Sequence, residues 1–175
     1  MWAKTDAGWG LLKSDLSWQV VPQYESAGRL ENGLAAVSVA GRWGFVDETG
    51  TVVIEPRFDM VRNFAGPYAP AKMNNRFGLI DRTGAWVLEP AYDLIYAARY
   101  VLPRSWWGVK SGDKFGLLND KLSVVLSSQL DQGPRMCEDG TIITRIDKQW
   151  RHFNRDGVPI DGDSGICEQD RVSRR

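Results

Sequence analysis

Gly41-Arg42-Trp43-Gly44-Phe45-Val46-Asp47-Glu48-Thr49-Gly50-Thr51-Val52-Val53-Ile54 decides the fold, because the chain keeps returning to it. Its aromatic-glycine centre appears earlier as Trp9-Gly10-Leu11-Leu12. It appears later as Phe77-Gly78-Leu79-Ile80 and Phe115-Gly116-Leu117-Leu118, and in worn form as Trp150-Arg151-His152-Phe153. The five aromatics lie 34, 34, 38 and 35 residues apart. A fixed period of this size marks a tandem array. Residues that recur in every unit are expected to build the unit, which makes them poor candidates for chemistry.

The unit around Trp43 reads as a three-stranded antiparallel meander. Ala36-Val37-Ser38-Val39 alternates and ends at Ala40-Gly41-Arg42. Trp43 to Asp47 is a second apolar run and Glu48-Thr49-Gly50 a second turn. Thr51-Val52-Val53-Ile54 is a β-branched third run that Pro56 stops. A linker from Arg57 to about Ala69 leads on. No stretch of twelve residues keeps a helical apolar period, so little helix is expected.

Counting from each aromatic lays one frame on the other units. Four residues on stand Asp47, Asp81, Asn119 and Asn154; seven on stand Gly50, Gly84 and Gly157. Asp or Asn there can bond backbone two residues on, and the glycine supplies a positive φ. Thirteen on stand Pro22, Pro56 and Pro90, followed by Tyr24-Glu25, Phe58-Asp59 and Tyr92-Asp93. The fourth unit keeps only Asp131 of that trio. The first has Lys13 and Leu16 at its turn positions, so a differently built turn is expected there. The glycine after each aromatic predicts a bulge or the close approach of another backbone. Each aromatic is expected to pack against the neighbouring unit.

Gly-Arg-Trp-Gly-Phe-Val-Asp-x-x-Gly, then Val-Ile-x-Pro, then an aromatic-Asp pair, resembles the bacterial WG (also called KWG) repeat family. The resemblance is best over residues 33–96, recognisable from Met1 to Leu130 and marginal over 141–160. It implies a β-rich binding module with no common enzymatic activity, and it transfers no catalytic residue.

The expected fold is all-β: one domain over residues 1–160, with units near 1–30, 31–65, 66–100, 101–140 and 141–160, and a tail over 161–175. An open, curved array is favoured, because the chain begins on a unit's first strand and ends on a third. A closed five-bladed ring is the alternative. Stability should be nearly one-dimensional.

Composition narrows the partners. The 22 basic and 22 acidic residues cancel, whereas a nucleic-acid binder shows a basic stripe. The basic cluster Arg171-Val172-Ser173-Arg174-Arg175 reads as a solvated end. No apolar run reaches membrane-spanning length. Met1-Trp2-Ala3-Lys4 shows no secretory pattern, so a cytoplasmic protein is expected, or a periplasmic one stripped of its leader. Cys137 and Cys167 are not spaced as a zinc site. Two free thiols are expected, with a disulfide as the alternative. No cofactor or metal is expected.

Catalytic candidates are few. His152, the one histidine, stands where other units carry Leu11, Phe45, Leu79 and Leu117, and reads as a strand position in a worn cap. The paired acids read as turn residues, since each does the same work in its own unit. The places that break the repeat are better candidates. Tyr96-Ala97-Ala98-Arg99-Tyr100-Val101-Leu102-Pro103-Arg104-Ser105-Trp106-Trp107 contains a four-residue expansion rich in aromatic and arginine side chains, the stuff of protein-binding hot spots. From it Tyr96, Arg99, Tyr100, Arg104, Trp106 and Trp107 are the candidate binding residues, although at least one Trp is expected in the core. Phe64-Ala65-Gly66-Pro67-Tyr68-Ala69-Pro70 adds Tyr68. The expected function is a non-enzymatic module that binds another protein. A sharper version is an immunity or antitoxin protein that neutralises a toxin. Envelope glycan binding, through Trp and Tyr, and a His152 hydrolase are the competing classes.

Overall fold

A computed structural model describes residues 1–97 and 105–161. Those residues are all-β, and they form five antiparallel sheets in chain order. The first holds β1 (Trp2–Thr5), β2 (Gly8–Leu12) and β3 (Trp18–Tyr24). The second holds β4 (Ser26–Ala27), β5 (Leu34–Val39), β6 (Arg42–Asp47) and β7 (Val52–Phe58). The third holds β8 (Met60–Val61), β9 (Ala69–Met73), β10 (Arg76–Ile80) and β11 (Trp86–Tyr92). The fourth holds β12 (Leu94–Ala97), β13 (Trp107–Ser111), β14 (Lys114–Leu118) and β15 (Val124–Leu130). The fifth holds β16 (Arg135–Met136), β17 (Ile142–Ile146), β18 (Gln149–Phe153) and β19 (Pro159–Ile160). The chain divides into two compact units, Met1–Ala91 with the first three sheets and Tyr92–Arg175 with the last two.

The expected meander forms in every repeat. Four of the five sheets add a short strand in front of it, drawn from what the sequence suggested was linker. The cause is the recurring acid. The backbone N–H groups of Glu25, Asp59, Asp93 and Asp131 donate to the carbonyls of Ser38, Lys72, Lys110 and Arg145 at 3.0, 2.9, 2.9 and 2.7 Å. The chain thus leaves the third strand of one sheet already bonded to the edge of the next. The polar backbone is satisfied without a loop.

Within each compact unit the core lies between consecutive sheets. Leu34, Ala36, Phe45, Ile54 and Phe58 of the second sheet meet Phe64, Ala69, Ala71 and Ile80 of the third repeat. Ala35, Val37 and Val46 face the other way, onto Tyr24 of the first repeat. The second sheet is therefore apolar on both faces, which is why β5 is buried from Leu34 to Ser38 instead of alternating. In the other compact unit, Trp106, Leu117, Leu126 and Leu130 meet Ile142 and Phe153 of the fifth sheet. Edge-to-face ring pairs join sheets: Phe45 with Phe64 at 5.0 Å, and Phe58 with Trp86 at 5.4 Å. Trp9, Trp43 and Phe115 pack against these inter-sheet clusters, as expected of the repeated aromatics.

The glycine after each aromatic answers to a close backbone. A methyl group on Gly44 would collide with the Ile54 carbonyl and stand 2.6 Å from the Pro56 nitrogen. The register shifts there, with Trp43 opposite Phe58 and Phe45 opposite Ile54.

Candidate functional site

The recurring acids are committed to the fold. Asp47 Oδ1 accepts from the Thr49 N–H at 2.8 Å, the Thr49 hydroxyl at 2.6 Å and the Thr51 N–H at 2.9 Å. Asp81 repeats the set with Thr83 and Ala85. Asn119 and Asn154 accept from N–H groups two and four residues on. The threonine hydroxyl is the main reason the Asp47 and Asp81 carboxyls titrate below their ordinary value. The first repeat departs from expectation. Its turn has the same backbone, with Lys13 N–H bonded to Ser17 and Leu16 N–H bonded to Lys13. Leu16 takes the glycine's place at φ 66°, as Leu122 does at φ 62° in the fourth repeat. The sequence misled because Asp15, inside the turn, does the capping through Ser17.

The second acid ties one hairpin to another. Ala40-Gly41 and Asp147-Lys148 are two-residue hairpin turns with both φ angles positive. The Gly41 N–H donates to Glu25 Oε2 at 2.8 Å and the Lys148 N–H to Asp131 Oδ2 at 2.8 Å. In the same way, the Gly112 N–H donates to Asp93 Oδ2 at 2.6 Å. Asp131 also holds the Lys114 ammonium, and Asp59 holds the Arg42 guanidinium. The Lys114 contact, then the Lys148 N–H, lowers the Asp131 pKa; the same contact raises that of Lys114. Lys114, Gln132, Arg145, Asp147 and Lys148 surround Asp131 in an open depression of about 570 Å³. No sequence signal marked this group, because its members come from two strands, the bend after β15 and the β17–β18 turn.

His152 sits on β18 opposite Ile143, and its Nε2 is shielded with no hydrogen-bond partner among the described residues. It shares a depression with Trp150, Arg151 and Asp161.

The two segments that break the repeat fall at one structural position, the connection from the short leading strand to the first meander strand. That connection runs over 28–33 in the second sheet, 62–68 in the third, 98–106 in the fourth and 137–141 in the fifth. The structure revises the site expected in the fourth. Trp107 is 1% exposed and Trp106 9%, so both indoles belong to the core and neither offers a face to a partner. Their apolar area explains the choice, since burial is worth far more to an indole than contact with water. Tyr96 is half-buried, and its ring occupies the space that a side chain on Gly108 would need. Burial raises its hydroxyl pKa. Arg99, Tyr100 and Arg104 lie outside the described residues, as does Cys167. Cys137, in the corresponding connection of the fifth sheet, is disulfide-bonded, which overturns the expectation of free thiols.

Tyr68 has a better-defined setting. Its carbonyl accepts from the Ala65 N–H at 2.9 Å, closing a tight loop over buried Phe64. The Asn32 side chain donates to the Phe64 carbonyl at 3.1 Å, and Arg82 donates to the Asn32 carbonyl at 3.1 Å. The Arg82 guanidinium also lies 5.3 Å from the centre of the Phe64 ring. Connections 28–33 and 62–68 are thus knitted into one rim. Arg29, Leu30, Pro67 and Arg82 are exposed on it and Tyr68 is half-buried. The glycines that bracket 28–33 were the available signal for Arg29 and Leu30.

The WG containing repeat family matches residues 9–43, 43–77 and 77–99 in consecutive copies. The chain belongs to that family. The first two matches run from one aromatic to the next and the third starts at Phe77, so the family's unit is the aromatic-to-aromatic frame counted above. No curated protein matches the chain. Among solved structures it is similar to a Kluyveromyces lactis Hsv2 with loop 6CD replaced by a Gly-Ser linker. Identity is 9% and the TM-score 0.52, over 91% of this chain and 60% of that one. It is also similar to a structure described as the eukaryotic initiation factor, at 10% identity and a TM-score of 0.53, over 93% of this chain and 51% of that one. These are β-propeller-like repeat proteins, and the likeness is one of fold. The WG chain spans about half to three-fifths of their length.

Proposed function

We propose that this WG repeat chain is a non-enzymatic module that binds another protein through the rim of connections 28–33 and 62–68. The observation that carries the reading is the rim's construction. Asn32, Phe64 and Arg82 fix its backbone, while Arg29, Leu30, Pro67 and Tyr68 stand at its surface. Leu30 is 44% exposed in a loop held on both sides. A preordered loop with apolar, aromatic and arginine side chains loses little entropy on binding. A second support is the commitment of the repeated acids to turns and hairpins, which leaves none of them as a free acid–base pair. A small immunity or antitoxin protein is the sharper form of the same reading, with a toxin as the bound protein.

Affinity capture from the source cell tests it. Leu30→Asp/Tyr68→Ser should keep the unfolding temperature within a few degrees and lose the captured protein. Retention of that protein by the double variant would move the interface off the rim. A glycan-binding reading draws on Trp18 and Trp150, which are 37% and 39% exposed. Arg145 lies 5.2 Å from the Trp150 ring and takes one of its two faces. Silence on a glycan array would remove that reading.

A further inference from the structure

Among the described residues the first sheet alone has three strands. The other four each begin with a short leading strand, β4, β8, β12 or β16, laid against the first strand of the meander. In the first sheet that place is the outer edge of β1, and no described strand fills it. Met1 and Leu12 exchange both backbone hydrogen bonds, so the alternation of an antiparallel ladder turns the N–H and C=O groups of Trp2 and Lys4 outward. No register shift interrupts β1 against β2. An open, regular edge is a template for another strand. The four occupied edges show which strand fits. The residue opposite the repeated aromatic is Lys4 on β1, and Ser38, Lys72, Lys110 and Arg145 in the other sheets. In those four its carbonyl accepts from the N–H of the recurring acid, Glu25, Asp59, Asp93 or Asp131. Two residues back, the Ala36 and Pro70 carbonyls accept from Gly28 and Arg62, each three residues beyond the acid. Trp2 holds that second place on β1. The Gly41 and Lys148 N–H groups, which donate to the Glu25 and Asp131 carboxylates, correspond to the Ala7 N–H, which donates to the Thr5 hydroxyl at 3.2 Å.

We infer that the outer edge of β1 takes an extended acidic peptide, the leading segment of another WG repeat, added antiparallel as a fourth strand. The acid of that segment donates its N–H to the Lys4 carbonyl, and the residue three further on donates to the Trp2 carbonyl. The carboxylate lies beside the Lys4 ammonium and takes over the Ala7 N–H. Lys4 selects the acid. A lysine on an edge opposes a strand that brings no negative charge. Yet Lys72, Lys110 and Arg145 stand at the same place beneath a leading strand, each with an aspartate of that strand bonded to its carbonyl. Asp6 does not bar the acid, because Asp147 holds the same turn position in the fifth sheet and shares a depression with Asp131. The edge shares no residue with the rim of connections 28–33 and 62–68.

The probe is a capped peptide with the sequence Arg57-Phe58-Asp59-Met60-Val61-Arg62-Asn63, titrated into the isotope-labelled full chain and followed by amide chemical shifts. Saturable shifts centred on Trp2 to Thr5 are expected below about 1 mM peptide. Lys4→Pro removes an N–H that faces away from β2, so the sheet keeps its own bonds while the edge loses one. It should weaken binding about tenfold or more. Lys4→Glu should weaken it about fivefold or more, and the peptide carrying Asp59→Lys should bind Lys4→Glu more tightly than it binds the wild-type chain. Thermal unfolding checks that the variants fold, and Lys4→Glu decides should the proline variant not fold. Absence of a saturable shift overturns the proposal, as do shifts centred on 28–33 and 62–68. Equal binding by the wild-type chain and both folded variants, or of both peptides by the wild-type chain, overturns it as well.

Discussion

Ala35 in the second repeat and Trp107 in the fourth occupy the same place. Counting back along the paired strands, Val37 lies opposite Gly44 and Val109 opposite Gly116, which sets Ala35 level with Trp107. Ala35 is 0% exposed and Trp107 1%. One repeat fills the slot with a methyl group and the other with an indole. The next slot differs too: Ala36 in the second repeat, and in the fourth Gly108, whose missing side chain is replaced by the Tyr96 ring. Other positions follow suit, with Gly50 against Leu122 in the turn and Pro56 against Ser128 at the edge. The backbone is common to both repeats while the residues that enforce it are not. The WG frame therefore specifies a path for the chain, and each repeat fills the space beside that path independently.

The largest expected effect asks whether Trp107 is core. Trp107→Ala puts in the fourth repeat what the second carries, yet it should cost about 3–5 kcal/mol, because the neighbours are shaped around an indole. A neutral result in chemical denaturation would mean the slot is not a packed one. Next come the glycines. Gly44→Ala drives a methyl into the Ile54 carbonyl, whereas at Gly116 the nearest atom is the Leu126 carbonyl oxygen at 3.0 Å. The first change should cost about 3 kcal/mol and the second about 1 kcal/mol. Equal costs would dissolve the contrast in tightness between the two repeats.

Acid sharpens the comparison further. Asp47 and Asp81 have folded pKa values below their unfolded ones. Their contribution is present above the unfolded carboxylate value and is lost as pH falls through the folded value. Asn119 and Asn154 make equivalent turns with no proton to gain. Asp47→Asn/Asp81→Asn should therefore leave unfolding at pH 7 nearly unchanged and flatten the fall in stability below about pH 4. An unchanged acid profile would show that the turn carboxylates do not control it.

Much of this was legible in the sequence because it depended on local chemistry. The period, the three meander strands and the Asp-x-x-Gly turns rest on residues within a few positions of one another. The short leading strands were not legible, since Ser26-Ala27 and Met60-Val61 carry no strand pattern and exist through a bond from the preceding acid to the next sheet. Of the rim proposed above, the sequence singled out only Tyr68. Composition marked Trp106 and Trp107 as hot-spot residues, but the same apolar area serves a core equally well, and burial is decided by distant strands. Asn32 and Arg82 were invisible for the same reason: they meet only because two repeats lie side by side.

The central claim, one backbone written by different residues, is tested most directly at Leu16. It sits at φ 66° in the first repeat's turn, where the second, third and fifth repeats use glycine, and its side chain is 70% exposed, so little packing is lost on removal. The measurement is the unfolding free energy of Leu16→Gly. Relief of left-handed strain, about 1–2 kcal/mol, outweighs the added flexibility of the unfolded chain, about 0.5–1 kcal/mol. The account predicts a chain more stable by about 0.5–1 kcal/mol. A less stable chain would contradict it, because the first repeat's turn would then be a different structure from the one glycine builds elsewhere.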